Sequence, residues 1–516
     1  MKRRNLLKLL PGLLAAGVLP LPHARSQTSR GNLPAGAASF GMNLAPVTYW
    51  TTEHPFKNLA LCASPWRLQE VNGPYRMDLP LPPATADGYP MEVPHGTFLE
   101  TFLVFTPYRT HLGHTLVLIY EGKGVIEYLA GGELVSRAPG KDVVRLMQND
   151  GPVIARLKST DADTPLRGVD VSEAEAEDGE SSRFRTAFLD RLSSMSVLRF
   201  MDWMDTNNSK VSRWEDRPAE DRYSQAEGGV AVEIMVELCN RLETCPWFTL
   251  PHLADDDYVR RFAELVKATL QPEIPVYVEY SNEVWNGLFE QAQYAGREGM
   301  RLGLSSNPYE AGLRYYSQRS SEVISIWEDV FGEERDRIIG VYATHGVNAW
   351  TSEVVLSWQD ALTHCDVLAI APYFGGAMGN RENAPTVARW SLDQLFEALA
   401  SEVDGENREY IQRQAEMAAR FGVPLIAYEG GQHLVGYSGT EHDEVLHRLF
   451  AEANRDPRMG DLYRRHIEHW REAGGGTYAL FNSMSRNSQW GCWGLMEYES
   501  DHNSPKWRAV QEMQNA

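Results

Sequence analysis

The chain of 516 residues is 43% hydrophobic, 10% aromatic and 23% charged, the proportions of a globular protein with ample length for a large core, which excludes a disordered or fibrous chain. Its 70 acidic residues against 49 basic ones leave a formal net charge of -21, a field that repels nucleic acid and anionic lipid and favours a neutral partner. The 14 Trp and 22 Tyr supply flat rings that suit either a core or the apolar faces of sugars.

At the N-terminus, Lys2-Arg3-Arg4 precedes an apolar stretch over 9–21, broken by Pro11 and Pro20 and followed by His23-Ala24-Arg25-Ser26. Residues 1–26 therefore read as a signal peptide. Arg3-Arg4 with Asn5-Leu6-Leu7-Lys8 resembles the twin-arginine export signal, the alternative being an ordinary secretion signal with two chance arginines. No other segment approaches the roughly 20 continuous apolar residues of a spanning helix. The expectation is a periplasmic or secreted protein with no stable membrane span.

Residues 36–55 hold a first apolar run at 39–44 and a loop containing Trp50 and Glu53. The next interval is too long for one strand-to-helix connection. Its runs at 98–105, 115–120, 125–128, 143–147 and 153–157 alternate as antiparallel strands do, between turn signals such as Gly131-Gly132 and Asn149-Asp150-Gly151. The reading is a small β-rich domain over 56–171, inserted after the first barrel strand, with the acidic stretch 172–184 as a solvated linker.

From 185 to 516 the pattern changes. Apolar runs at 196–200, 247–250, 276–280, 338–342, 367–370, 424–428 and 477–481 alternate with amphipathic stretches such as 230–242, 258–270, 312–330, 392–403 and 410–421. With the run at 39–44 this makes eight strands separated by helices, an α/β chain whose parallel sheet closes as a (β/α)8 or TIM barrel. Five cysteines show no metal spacing. Cys239 and Cys245 either close a small loop or remain buried thiols. Asp255-Asp256-Asp257 opens a helix, where acids complement its dipole. No cofactor, metal or nucleotide site is indicated.

Reactive side chains of such a barrel sit at the carboxyl ends of its strands. The fourth strand runs into Ser281-Asn282-Glu283-Val284-Trp285 and the seventh into Tyr428-Glu429-Gly430-Gly431. Strands four and seven lie nearly opposite each other, so two carboxylates distant in sequence converge on one bond, as glycoside hydrolysis requires.

On these residues the chain resembles clan A of the glycoside hydrolases. The resemblance implies that Glu283 is the acid/base and Glu429 the nucleophile of a retaining enzyme that cleaves β-glycosidic bonds by double displacement. It implies that Asn282 contacts the substrate hydroxyl beside the anomeric carbon, that Arg199 supports the nucleophile, and that Tyr373 lies beside it. The partner expected is a neutral β-linked oligo- or polysaccharide. The run 278–286 also resembles bacterial proteins described as cellulose-binding, and the second expectation is a non-catalytic carbohydrate-binding protein on the same scaffold.

Further candidates end other strands or occupy their loops. His252 and His345 are placed to hold sugar hydroxyls or to serve as neutral structural histidines. Trp50 and Glu53 offer a sugar platform and a hydroxyl acceptor. Among Trp285, Trp490, Trp493 and Trp50, one or two are expected to stack against sugar. Glu279 reads as structural, or as an acceptor behind the reacting groups.

Overall fold

The computed structural model describes residues 39–105, 115–147, 151–174 and 182–515. The expected leader, 1–26, lies outside the described residues, as does most of the acidic stretch. Strand β1 (Phe40–Asn43) opens the barrel. Eight strands follow before the barrel resumes: β2 (Arg67–Glu70), β3 (Thr97–Phe105), β4 (Thr115–Glu121), β5 (Gly124–Ala130), β6 (Gly132–Ala138), β7 (Lys141–Leu146), β8 (Pro152–Thr160) and β9 (Arg167–Glu173). They form two four-stranded sheets, β2-β3-β8-β5 and β6-β7-β4-β9, with antiparallel neighbours throughout.

Alternation builds these sheets. Leu116, Leu118, Val144, Val153, Leu157 and Val171 turn inward to a hydrophobic cluster separate from that of the barrel helices, while the intervening residues are partly or fully exposed. Asp142 is buried with them and accepts a bidentate pair from Arg137 (2.8 and 2.8 Å) and the Tyr128 hydroxyl (2.7 Å). Three strands, β2, β6 and β9, were not among the expected runs. β9 extends into the stretch read as linker, where Ser172 and Glu173 pair with Val117 and Leu116 of β4. Backbone pairing to β4, with Val171 buried, outweighs the acidic composition there.

The barrel strands continue with β10 (Val197–Arg199), β11 (Cys245–Leu250), β12 (Val276–Tyr280), β13 (Ile338–Ala343), β14 (Val367–Ile370), β15 (Leu425–Ala427) and β16 (Tyr478–Leu480). They close a parallel barrel in the order β1-β10-β11-β12-β13-β14-β15-β16. Each strand matches one of the eight expected runs, and β16 returns to β1 with Met42 opposite Leu480.

Period two divides each strand between two cores. Val197, Trp247, Tyr277, Ile339, Val367, Ile426 and Ala479 fill the barrel interior, whereas Leu198, Phe248, Val278, Leu368 and Ala427 face the helices. The helix Asp256–Thr269 illustrates the outer layer: Tyr258, Val259, Phe262 and Val266 are buried, and the Phe262 ring meets Phe248 edge-on at 5.0 Å. Asp255 caps its N-terminus by accepting from the Tyr258 N–H at 2.8 Å. Cys239 and Cys245 are both free thiols. Among the described residues no helix is long and apolar enough to cross a membrane.

Candidate active site

Inward parity carries Arg199 and Glu279 into the barrel above the apolar layer. The Arg199 guanidinium is fully buried and is met by four acceptors: Glu279 (Oε2, 3.0 Å from Nη2), Glu429 (Oε1, 2.8 Å), Asn43 (3.1 Å) and Asn282 (2.8 Å). A charge that deep is tolerable only with such complete pairing. Glu279 also accepts from the Trp247 indole at 2.8 Å. It turns inward and accepts from the guanidinium on both of its oxygens.

The two strand-end glutamates sit at the same mouth and differ in their partners. Glu429 receives the Arg199 guanidinium and, on its other oxygen, the Tyr373 hydroxyl at 3.0 Å. Glu283 receives only neutral donors, the Tyr428 hydroxyl at 3.0 Å and the Asn286 amide at 2.9 Å. Burial pushes the Glu283 carboxyl up to about 7, and the negative charge of Glu429 adds to the rise. Burial raises Glu429 as well, but the charge and hydrogen bond of Arg199 oppose it, and Tyr373 adds to that opposition. The pair is thus pushed apart in proton affinity by its surroundings.

Local backbone chemistry aims these groups. Ser281 and Glu283 both take positive φ, 59° and 42°, costing on the order of 1–2 kcal/mol each. The Ser281 N–H to Leu250 bond (2.7 Å), the Asn286 N–H to Glu283 bond (2.8 Å) and the Gln291 amide on the Asn282 carbonyl (2.8 Å) hold the turn. After Glu429, Gly430 is required by close approach, since a Cβ there would lie 2.2 Å from the Tyr478 hydroxyl.

Bordering the Tyr373 ring, and lined by neither glutamate, lies a cleft of about 540 Å³ walled by Tyr49, Trp50, Phe105, Phe481, Trp490 and Trp493, with Asp202 among its polar lining. Trp50 and Trp490 are 50% and 61% exposed, so the cleft opens to solvent between two indoles. Its wall touches the site directly, because the Tyr373 ring packs edge-on against Phe481 and Trp493. On the Glu283 side, Trp285 stacks on His345 at 4.2 Å and its indole N–H reaches the Tyr428 hydroxyl at 3.3 Å.

The structure therefore brings together Glu283, Glu429, Asn282, Arg199, Tyr373, Trp285 and His345, with Trp50 and Trp490 at the cleft. Glu53 is elsewhere engaged: it is buried, bound by Arg191 (3.0 Å) and the Ser483 hydroxyl (2.6 Å), and ties the loop after β1 to the loop after β16. That pairing corrects its expected place as a free hydroxyl acceptor. His252 packs against Tyr294, burial lowers its imidazole to about 4, and it makes no described contact with the carboxylate pair, which matches the structural alternative. Asn282 spends its oxygen on Arg199 and one N–H on Asn207 (3.0 Å).

Sequence reading passed over Tyr428, Asn43, Asn286 and Asp202. Tyr428 shares inward parity with Ile426, a signal that was available. Asn286 lies three residues past Glu283, within one turn. Asp202 lies beyond the end of β10, where only its chain position marks it.

No protein-family model matches this chain, and no curated protein matches it. Among solved structures it is similar to a GH51 arabinofuranosidase from Xanthomonas axonopodis pv. citri (TM-score 0.38, 10% identity, 61% of this chain and 63% of that one). It is also similar to a family 51 α-L-arabinofuranosidase from Bifidobacterium longum (TM-score 0.40, 10% identity, 66% and 68%). A third is a GH5-4 broad specificity endoglucanase from Clostridium cellulovorans (TM-score 0.37, 11% identity, 66% and 89%). The chain spans less than two thirds of the Xanthomonas enzyme, 63% of its length.

Proposed function

We propose that this protein is an exported retaining glycoside hydrolase that cleaves a neutral β-linked oligo- or polysaccharide, with Glu429 as nucleophile and Glu283 as acid/base. The observation that carries the reading is the unequal partnering of the two carboxyls. One is met by a guanidinium and a phenol, which favour its anion; the other is met by neutral donors only and raised to about 7.

The chemistry follows from that inequality. The Glu429 carboxylate attacks the anomeric carbon while the bond to the departing oxygen breaks, and Glu283 gives its proton to that oxygen. Glu283, now ionised, takes a proton from water as the water oxygen attacks the anomeric carbon, and Glu429 departs as the carboxylate it began as. A retaining mechanism uses a carboxyl separation of about 5–5.5 Å, and the Tyr428 side chain, which donates to Glu283 at 3.0 Å from the residue next to Glu429, is consistent with two carboxyls at one mouth. The β-sheets between β1 and β10 we read as an inserted module that contributes Phe105 to the cleft wall.

The test is a panel of aryl β-glycosides and polysaccharides offered to wild type, Glu283→Gln and Glu429→Gln. Turnover on at least one substrate, falling by about 10³-fold or more in Glu429→Gln, is expected. Turnover that survives both substitutions, or none on any substrate, overturns the reading and leaves a carbohydrate-binding protein to be tested by affinity.

A further inference from the structure

Asp202 is a carboxylate that the protein leaves unused. It lies three residues past Arg199, just beyond the end of β10, and lines the aromatic cleft. Its half-buried carboxylate takes no hydrogen bond and makes no ion pair with any described residue, whereas the fully buried acids are held: Glu279 by Arg199 and Trp247, Glu53 by Arg191 and Ser483, Asp142 by Arg137 and Tyr128. A half-buried carboxyl on the wall of an open cleft keeps its oxygens available to hydroxyls that a ligand brings. Burial pushes Asp202 up to about 7, and the nearby charge of Glu429 adds to that rise, with Arg199 opposing.

Its surroundings are those of a sugar subsite. Indole and phenyl rings on the cleft wall offer faces to the C–H side of a pyranose, and of the polar side chains described between them, which include Asn482, Ser485 and Arg486, Asp202 is the one carboxylate to receive hydroxyls that the rings cannot satisfy. Position fixes which part of the substrate arrives there. Asp202 feels the charge of Glu429, and the cleft wall touches Tyr373, which binds Glu429. Glu283, which faces the departing oxygen, is flanked instead by Trp285 and His345.

We propose that Asp202 is a specificity-determining residue that receives two adjacent hydroxyls of a neutral sugar unit on the glycone side of the scissile bond, within the cleft framed by Trp50 and Trp490. This assignment rests on the hydrolytic reading above for its direction, glycone and not leaving group. It requires a chain longer than a single sugar, because the cleft lies beside the anomeric site and not in it.

Calorimetric titration of the full-length Glu283→Gln protein with cellohexaose, xylohexaose, mannohexaose and a glucosamine hexamer, repeated with Asp202→Asn and Asp202→Ala added, separates the two claims. At least one neutral hexamer is expected to bind, and about 10- to 100-fold more weakly once Asp202 is replaced, the range for a hydrogen-bonded charged group. In the otherwise wild-type protein, Asp202→Asn should raise KM on that oligosaccharide by a larger factor than it changes either kcat or KM on a short aryl glycoside. Equal affinity with and without Asp202, or no binding of any hexamer, overturns the assignment even where aryl glycosides are cleaved. Binding of the glucosamine hexamer alone, lost with Asp202, overturns the neutral-sugar specificity. Loss of aryl glycoside turnover in Asp202→Asn comparable with that in Glu429→Gln overturns it too, by placing the residue at the reacting bond. If no substrate is turned over but a neutral hexamer binds in an Asp202-dependent way, the hydrolytic reading fails while the subsite stands.

Discussion

Replacing Arg199 by Met strands two buried carboxylates at once. The guanidinium is fully buried and pairs with Glu279 at 3.0 Å and Glu429 at 2.8 Å. Removing one partner of such a pair costs about 3–5 kcal/mol, because the remaining charge is left in a low-dielectric site. The loss should depend on pH with a definite sign. Glu279 already stands near 7 against an ordinary 4.5, raised by burial and restrained by Arg199. The folded state therefore binds that proton more tightly than the unfolded chain, and stability falls as pH climbs from about 4.5 to 7. Without Arg199 the folded values rise further, each unit adding about 1.4 kcal/mol, and the fall continues to higher pH. Urea unfolding of wild type and Arg199→Met at about pH 5 and about pH 8 should show the larger deficit at pH 8. A deficit that is equal at both, or below about 1 kcal/mol at pH 8, refutes the reasoning.

Other outcomes follow from the same geometry. The alkaline limb of kcat/KM should fall near 7, where Glu283 loses its proton, and a flat profile from about pH 6 to 9 contradicts its role as acid. Tyr428→Phe removes a donor that favours ionised Glu283, so that limb should move up by about half a unit to one unit, measured on the same substrate. Gly430→Ala sets a Cβ 2.2 Å from the Tyr478 hydroxyl; the resulting shift of Glu429 should cut kcat by about 10²-fold with a smaller change in KM. Asp142→Asn weakens the bonds of a buried carboxylate to the exposed Arg137 and to Tyr128 and should cost the antiparallel sheets about 1–3 kcal/mol, read as faster limited proteolysis within 97–173.

The barrel was legible because a parallel strand covered on both faces reads as an unbroken apolar run; Val276–Tyr280 and Ile338–Ala343 are such runs. The missed strands lack that signal. β6 exposes Leu134 and Val135, and β9 is polar or acidic at most positions, so its pairing to β4 comes from tertiary contact that composition does not encode. At the site, Glu283, Glu429, Arg199 and Tyr373 were legible because they end strands of one cylinder. The partners of Glu53 and His252 were not, since they lie on loops and helices whose approach is decided by packing: Arg191 and Ser483 reach Glu53 from positions 138 and 430 residues away. Asp202 had no motif to mark it and is distinguished only by what does not bind it.

The central claim, that Glu429 attacks the anomeric carbon, is tested most directly by offering azide to Glu429→Ala with an activated aryl β-glycoside and identifying the product by NMR. The account predicts that azide restores turnover and yields the α-glycosyl azide, the anion occupying the space of the missing carboxylate. Absence of rescue, or formation of the β-azide from this variant, contradicts it.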